Sequence, residues 1–316
     1  MITKKIIPID INIYIKSLYL LMKPRVMSLV IFTCAVGLLT SNSNINTIDA
    51  VIGIVLVALG AGGAGCLNMW YESDLDALMA RTCLRPIPTG KINRKQALTF
   101  GITLSVISVG ALNYFANFLS ASLLLFTIFF YLFIYTIWLK RKTPQNIVIG
   151  GAAGAFPPMV GWVAATGSIS IEAIGMFMLI FMWTPPHFWA LALFMNEDYT
   201  KAGVPMLTVT HGKRSTRKHI LIYTIFLTPF CIGLAFTSIG GPLYFILSIL
   251  LSIMFLMGAI KLFRRAESAA VADKYFEERK VFRFSLFYLF LLFSALLIEA
   301  GLRTLNFNLA AWPQVF

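Results

Sequence analysis

Apolar runs close to 20 residues long recur along the chain, at roughly 22–40, 50–70, 97–116, 119–138, 146–166, 173–195, 219–239, 242–262 and 282–304. Twenty helical residues rise about 30 Å, the thickness of a bilayer's hydrocarbon core, and a helix satisfies its own backbone hydrogen bonds there. The pattern predicts an all-α, polytopic membrane protein of about nine transmembrane helices. The first run is the weakest: Lys23, Pro24 and Arg25 confine it to residues 26–39 and imply a surface-lying segment before it.

Composition agrees. Of 316 residues, 59% are hydrophobic and 12% charged, with a mean hydropathy of +0.82, against about 25% charged in soluble domains. The net charge of +13 raises nucleic acid as a partner, and the placement of the basic residues removes it. Of 26 Lys and Arg, all but Arg303 fall in the first 25 residues or in 71–96, 140–142, 196–218 and 261–283. The intervening connections 41–49, 113–119, 166–172 and 237–243 carry none. With nine spans, this charge lies on one membrane face, the cytoplasmic one by the positive-inside rule. The expected topology is N-terminus cytoplasmic and C-terminus periplasmic. The first residues lack a signal-peptide apolar region and the Arg-rich character of a transit peptide, which favours a bacterial inner membrane.

A single domain over 1–316 is expected, with 1–21 as a cytoplasmic or interfacial segment and 71–96 and 196–218 as the cytoplasmic loops where polar chemistry is available. These two loops follow spans 2 and 6, a spacing that hints at a duplicated four-helix unit. Cys34, Cys66, Cys83 and Cys231 lack C-x-x-C spacing and read as free structural thiols. Gly60, Gly62 and Gly65 match G-x-G-x-x-G only formally, since no strand precedes them. They and Gly150, Gly151 and Gly154 read as close helix packing.

After span 2, Asn68, Glu72 and Asp76 are spaced four apart and share one face if the helix continues. Oxygen ligands so placed suit Mg²⁺, which commonly binds through one or two carboxylates plus substrate phosphates. Arg81 and Arg85 bring guanidinium forks to the same anion. A solvated mixed-charge loop explains the same residues equally well on spacing alone. After span 6, His187 and Asp198 are 11 residues apart, three turns on one helical face, with His187 about 16 Å deeper. An ionisable group at that depth marks function or is a histidine hydrogen-bonded within helix packing. Two acidic clusters on one rim above an interior rich in aromatics fit an enzyme for a diphosphate attached to an apolar chain.

The motifs themselves narrow this. Asn68 to Asp76 with Arg81-Thr82-x-x-Arg85-Pro86 resembles the UbiA-type membrane prenyltransferases. Pro185-Pro186-His187-Phe-Trp-Ala-Leu-Ala with Ala202-Gly-Val-Pro-Met-Leu, and the stretches Lys23-Pro24-Arg25, 138–151 and 154–162, resemble the branch of that family that acts on heme. The resemblance covers residues 20–220. It implies nine helices around a central cavity and a Mg²⁺ cofactor held by Asn68, Glu72, Asp76, Glu197 and Asp198. Asn68, Glu72, Asp76 and Asp198 would be catalytic, Arg81, Arg85, Lys140, Arg141 and Lys201 would bind diphosphate, and His187 would contact heme. The implied reaction transfers farnesyl from farnesyl diphosphate to a vinyl group of heme B with addition of water, forming heme O for terminal oxidase assembly. Heme A synthase or oxidase assembly factors are the implied partners, beside the lipid bilayer.

Some residues depart from the family pattern. Glu72 stands where Asp is usual, Cys83 and Leu84 replace a polar pair, and Met195-Asn196 lies where a basic residue is common. The rival readings are a prenyltransferase for a quinone precursor or other aromatic acceptor, and a secondary transporter. The motifs at 185–207 oppose the first. Acids gathered at one rim rather than at mid-membrane oppose the second.

Overall fold

The structure, a computed structural model, describes residues 11–43, 45–305 and 312–315. Residues 1–10 of the expected N-terminal interfacial segment lie outside these. The described chain is helical: α1 (Ile11–Leu21), α2 (Pro24–Leu39), α3 (Thr47–Tyr71), α4 (Ser73–Leu78), α5 (Arg94–Phe115), α6 (Phe118–Phe129, continued by a π-helix over Phe130–Leu139), α7 (Asn146–Thr166), α8 (Ile171–Phe194), α9 (Asn196–Lys201), α10 (Leu207–Thr210), α11 (Gly212–Gly233), α12 (Pro242–Arg264), α13 (Glu267–Ala272) and α14 (Phe276–Thr304).

Eight of these helices are long and apolar enough to cross a membrane, and α1 with α2, bent by 51°, makes a ninth if the pair is one span. This is the weak first run. Pro24 lacks an N–H and opens α2, while Lys23 takes the left-handed conformation at φ 55° and breaks the path from α1.

Three boundaries differ from the apolar pattern. α11 starts at Gly212 rather than near 219, and α14 at Phe276 rather than near 282. Their first turns are polar because they project beyond the apolar zone and are held by ion pairs: Arg217 with Glu278 and Glu267, and Lys213 with Glu267. The polar loop expected over 196–218 is thus shorter and largely helical. The third difference is at Met195, where α8 ends and α9 begins anew. Hydrogen bonds of the i, i+4 kind still cross this joint, Met195 N–H to Leu191 O at 3.1 Å and Tyr199 N–H to Met195 O at 3.3 Å.

Side chains pack in two main groups. α7, α8, α11, α12 and α14 enclose a core containing Trp183, Trp189, Tyr244, Phe255 and Phe293. α3, α5 and α6 close around Val57, Leu112, Leu124 and Ile128, joined by Cys34 of α2 and Val160 of α7. α2 and α7 meet almost backbone to backbone: a Cβ on Gly161 would lie 2.1 Å from the Cys34 carbonyl oxygen. Gly161→Ala is expected to force the helices apart and lower stability by about 1–3 kcal/mol, read as a drop in the thermal midpoint in detergent. An unchanged midpoint would contradict this crossing.

Gly150 packs against the Tyr135 ring as expected, but Gly154 does not pack. Nothing lies within 4 Å of where its Cβ would be, and it lines a cavity instead. Three of the cysteines are buried, Cys83 is partly exposed, and all four are free thiols.

Candidate functional site

The i, i+4 spacing survives the joint between α3 and α4. Glu72 N–H donates to Asn68 O at 2.9 Å and Asp76 N–H to Glu72 O at 2.8 Å, which keeps Asn68, Glu72 and Asp76 on one face. All three are buried, so the solvated-loop reading fails. Burial of carboxylates demands compensation, and each member of the row has its own cation. Lys23 Nζ donates to Asn68 Oδ1 at 2.5 Å, Lys140 Nζ to Glu72 Oε2 at 2.5 Å, and Arg85 Nη1 to both Asp76 oxygens at 2.8 Å.

The π-helix explains how α6 reaches this row. Thr136 Oγ1 and Lys140 N–H donate to carbonyls five residues back, Tyr131 O and Tyr135 O. The widened turn brings Thr136 Oγ1 to accept from Asn68 Nδ2 at 2.9 Å and delivers Lys140 to Glu72. Such π segments favour functional sites. The sequence of this segment, uninterruptedly apolar, carries no mark of it.

The second motif is brought to the first by packing. Leu75 and Met79 from the first loop share a small core with Ile147, Ala192, Tyr199, Val204 and Met206. Arg81 Nη2 donates to the Tyr199 hydroxyl at 2.9 Å, with its guanidinium 5.0 Å from the ring centroid. Asp198 adjoins this tyrosine, and its Oδ2 is buried without a hydrogen-bond partner, as is Glu72 Oε1. Glu197 and Lys201 are exposed on α9, and no hydrogen bond of the row runs through either among the described residues.

Hard oxygen donors, two of them buried and unpaired, fit Mg²⁺. Among the described residues no three His, Cys, Asp or Glu side chains form a ready cage, so phosphate oxygens would have to complete the coordination.

Arg141 does not touch the buried row. It pairs at 2.8 Å and 2.9 Å with Asp74 on the exposed side of α4. The Arg141 hydrogen bonds hold the Asp74 carboxyl below the usual carboxylate range. A depressed folded pKa means the pair's stabilisation is full above about 3.9 and is lost as pH falls through the lower folded value. This exposed pair contributes at most about 1 kcal/mol. The thermal midpoint of the wild type should exceed that of Asp74→Asn near neutral pH, with the gap closing as pH falls below the usual carboxylate range; a gap independent of pH would contradict the pairing.

Below the row lies a cavity of about 110 Å³ between α2, α3, α6 and α7. Lys23 and Tyr131 sit among its lining residues, and the rest is apolar or small, with Val30, Val57, Leu124, Ile128 and Val160 prominent. Lys23 Nζ also donates to the Tyr131 hydroxyl at 3.2 Å. Sequence reasoning missed Lys23, Tyr131, Thr136 and Tyr199 as site residues. The available signals were Lys23 standing directly before Pro24 at the edge of an apolar run and its place in the family-like stretch Lys23-Pro24-Arg25, to which no site role was attached.

His187 is buried on the α8–α14 seam, stacked between Trp183 and Phe282 at centroid distances of 4.2 Å and 4.7 Å. Its Nδ1 lies 2.6 Å from Ser285 Oγ. The same hydroxyl lies 2.7 Å from Phe282 O; where its proton goes to that carbonyl, Nδ1 donates to Ser285 and Nε2 is left as acceptor.

Comparison with known proteins follows the same lines. A protoheme IX farnesyltransferase of Roseobacter denitrificans is 56% identical over 294 residues, 93% of each chain. Among solved structures, a digeranylgeranylglyceryl phosphate synthase is similar with a TM-score of 0.72 at 18% identity, covering 91% of this chain and 98% of that one. A UbiA homolog from Archaeoglobus fulgidus bound to DMAPP and Mg²⁺ matches with a TM-score of 0.57 at 14% identity, covering 85% of this chain and 97% of that one. The profile of the UbiA prenyltransferase family matches residues 29–291, and the chain, a multi-pass all-helical protein with a buried acidic row, belongs to that family.

Proposed function

We propose that the chain transfers the farnesyl group of farnesyl diphosphate to a vinyl group of heme B, with water added, to form heme O. The observation that carries the reading is the buried Asn68, Glu72 and Asp76 row, with a cation on each member, lying above an apolar cavity. That arrangement suits a charged diphosphate head on an apolar tail. Heme as acceptor follows from the name of the relative that is 56% identical, and the prenyl diphosphate with Mg²⁺ from the family's solved structure.

Asn68, Glu72, Asp76 and Asp198 would hold the Mg²⁺, which neutralises charge developing on the departing diphosphate. Lys140, Arg85 and Arg81 stand beside that row and would direct hydrogen bonds to phosphate oxygens. The apolar lining would exclude water from the tail, and Tyr131, which lines the cavity, would offer its ring to a developing allylic cation. The C1–oxygen bond of the donor breaks, the vinyl π pair forms the new carbon–carbon bond, and water captures the cation beside the pyrrole with loss of a proton. The products are diphosphate and the hydroxyethylfarnesyl heme. His187 would meet the heme through Nε2, its ring fixed by Ser285. Lys201 and Arg141, at the exposed rim, would contribute only to attracting the anionic donor, while Glu197, an exposed carboxylate, would add nothing to that attraction.

Basic residues gathered on one face, Arg303 excepted, support an N-terminus in the cytoplasm and a C-terminus in the periplasm, within the bacterial inner membrane favoured by the first residues. The product would pass to heme A synthase or to oxidase assembly. The test is to incubate purified protein with heme B, farnesyl diphosphate and Mg²⁺, with and without chelator, and to read the extracted hemes by mass. A heme heavier by one farnesyl and one hydroxyl group, lost with chelator, is expected; unchanged heme B from folded protein would refute the reading.

A further inference from the structure

Lys23 is placed with more care than a helix boundary requires. It is a non-glycine residue in the left-handed region, φ 55° and ψ 59°, a conformation held only where the surroundings fix it. Its ammonium reaches Asn68 Oδ1 at 2.5 Å and the Tyr131 hydroxyl at 3.2 Å, and its stem lines the apolar cavity. It thus stands where the acidic row meets the cavity, while Lys140 and Arg85 hold the other two members of the row.

An amide oxygen has two lone pairs, but an ammonium on one and a divalent cation on the other stand close enough to repel strongly, so the two compete for Asn68 Oδ1. A metal bound to Asn68 therefore displaces Lys23. The displaced ammonium needs a new anion, and a diphosphate on that metal supplies one at the cavity mouth. We propose that Lys23 is a positioning residue that exchanges partners, holding Asn68 Oδ1 until a metal diphosphate binds and then donating to a phosphate oxygen. The inference rests on the donor site described under the proposed function. Metal and diphosphate then depend on each other: metal alone meets a competing internal cation, whereas metal with diphosphate gives that cation a stronger partner.

The test uses the full chain in detergent, with Mn²⁺ as the metal and a farnesyl thiodiphosphate that does not react. Free Mn²⁺ is read by paramagnetic resonance and analogue binding by calorimetry. Lys23→Met removes the competitor, so Mn²⁺ alone should bind at least about threefold tighter. It also removes a charge-assisted donor, so the analogue with Mn²⁺ should bind at least about tenfold weaker. General damage to the fold would weaken both, so the opposite directions are diagnostic. Lys23→Arg keeps the charge and should hold both affinities within about threefold of wild type.

Equal shifts in one direction, or none, in Lys23→Met would overturn the exchange. If that variant does not fold, Lys23→Arg decides, and a loss of both affinities beyond about tenfold would overturn it. No heme enters these titrations. Their failure removes the exchange alone, and failure of the heme assay leaves them standing.

Discussion

Asp76→Ala is expected to reduce turnover by at least about a thousandfold while leaving the protein folded. Asp76 is buried and its two oxygens take both bonds from Arg85. Arg85 is 28% exposed, so on losing its partner the guanidinium turns to water instead of remaining an unpaired interior charge. Stability falls modestly, whereas the anchor for a metal diphosphate is gone. Asp198→Ala is expected to behave alike, since Oδ2 has no partner to lose. The double variant should fall short of the product of the two effects, because both residues serve one anion. Initial rates together with thermal midpoints check this; folded Asp76→Ala with turnover within about tenfold of wild type would remove it from the donor site.

The largest effect on stability is expected at Arg217, far from the acidic row in sequence. Its Nη2 donates to Glu278 at 2.9 Å, and the two side chains are 3% and 0% exposed. Arg217→Met leaves Glu278 in the interior with Arg265 Nε at 3.9 Å as its remaining cation. An uncompensated buried carboxylate costs about 3–5 kcal/mol, read as a large fall in the unfolding midpoint in detergent. Replacing both partners, as Arg217→Met with Glu278→Leu, should restore most of the loss, since an apolar pair of similar size carries no desolvation penalty. A double variant no more stable than Arg217→Met would contradict that explanation.

Much of this architecture was legible in the chain because a bilayer imposes length and polarity rules that leave few alternatives. The spans were found to within a few residues wherever the apolar zone itself ends the helix. They were misjudged at α11 and α14, where residues 212–218 and 276–281 continue as polar helix stabilised by ion pairs between distant segments. A pairing such as Arg217 with Glu278 leaves no local pattern. The acidic row was legible because Asn68, Glu72 and Asp76 repeat at the helical period. Lys23 was not, because a lysine before a proline reads as a boundary, and its role comes from an elbow that aims it back at residue 68. The joint at Met195 lies where an apolar run passes directly into a polar one without a Pro or Gly to mark it, and the π-helix hid in a segment where every residue is compatible with an ordinary helix. Tyr199 shows the same limit: it carries the link between the two motifs through Arg81, yet by itself is one aromatic among many.

The acceptor is the central claim, and a competition assay tests it most directly. Purified protein is given farnesyl diphosphate and Mg²⁺ with equal amounts of heme B and a hydroxybenzoate quinone precursor, and all prenylated products are identified by mass. The expected result is farnesylated, hydrated heme with no prenylated benzoate, and loss of the product in Asp76→Ala. Prenylated benzoate with unmodified heme would contradict the account and assign the same donor site to an aromatic acceptor.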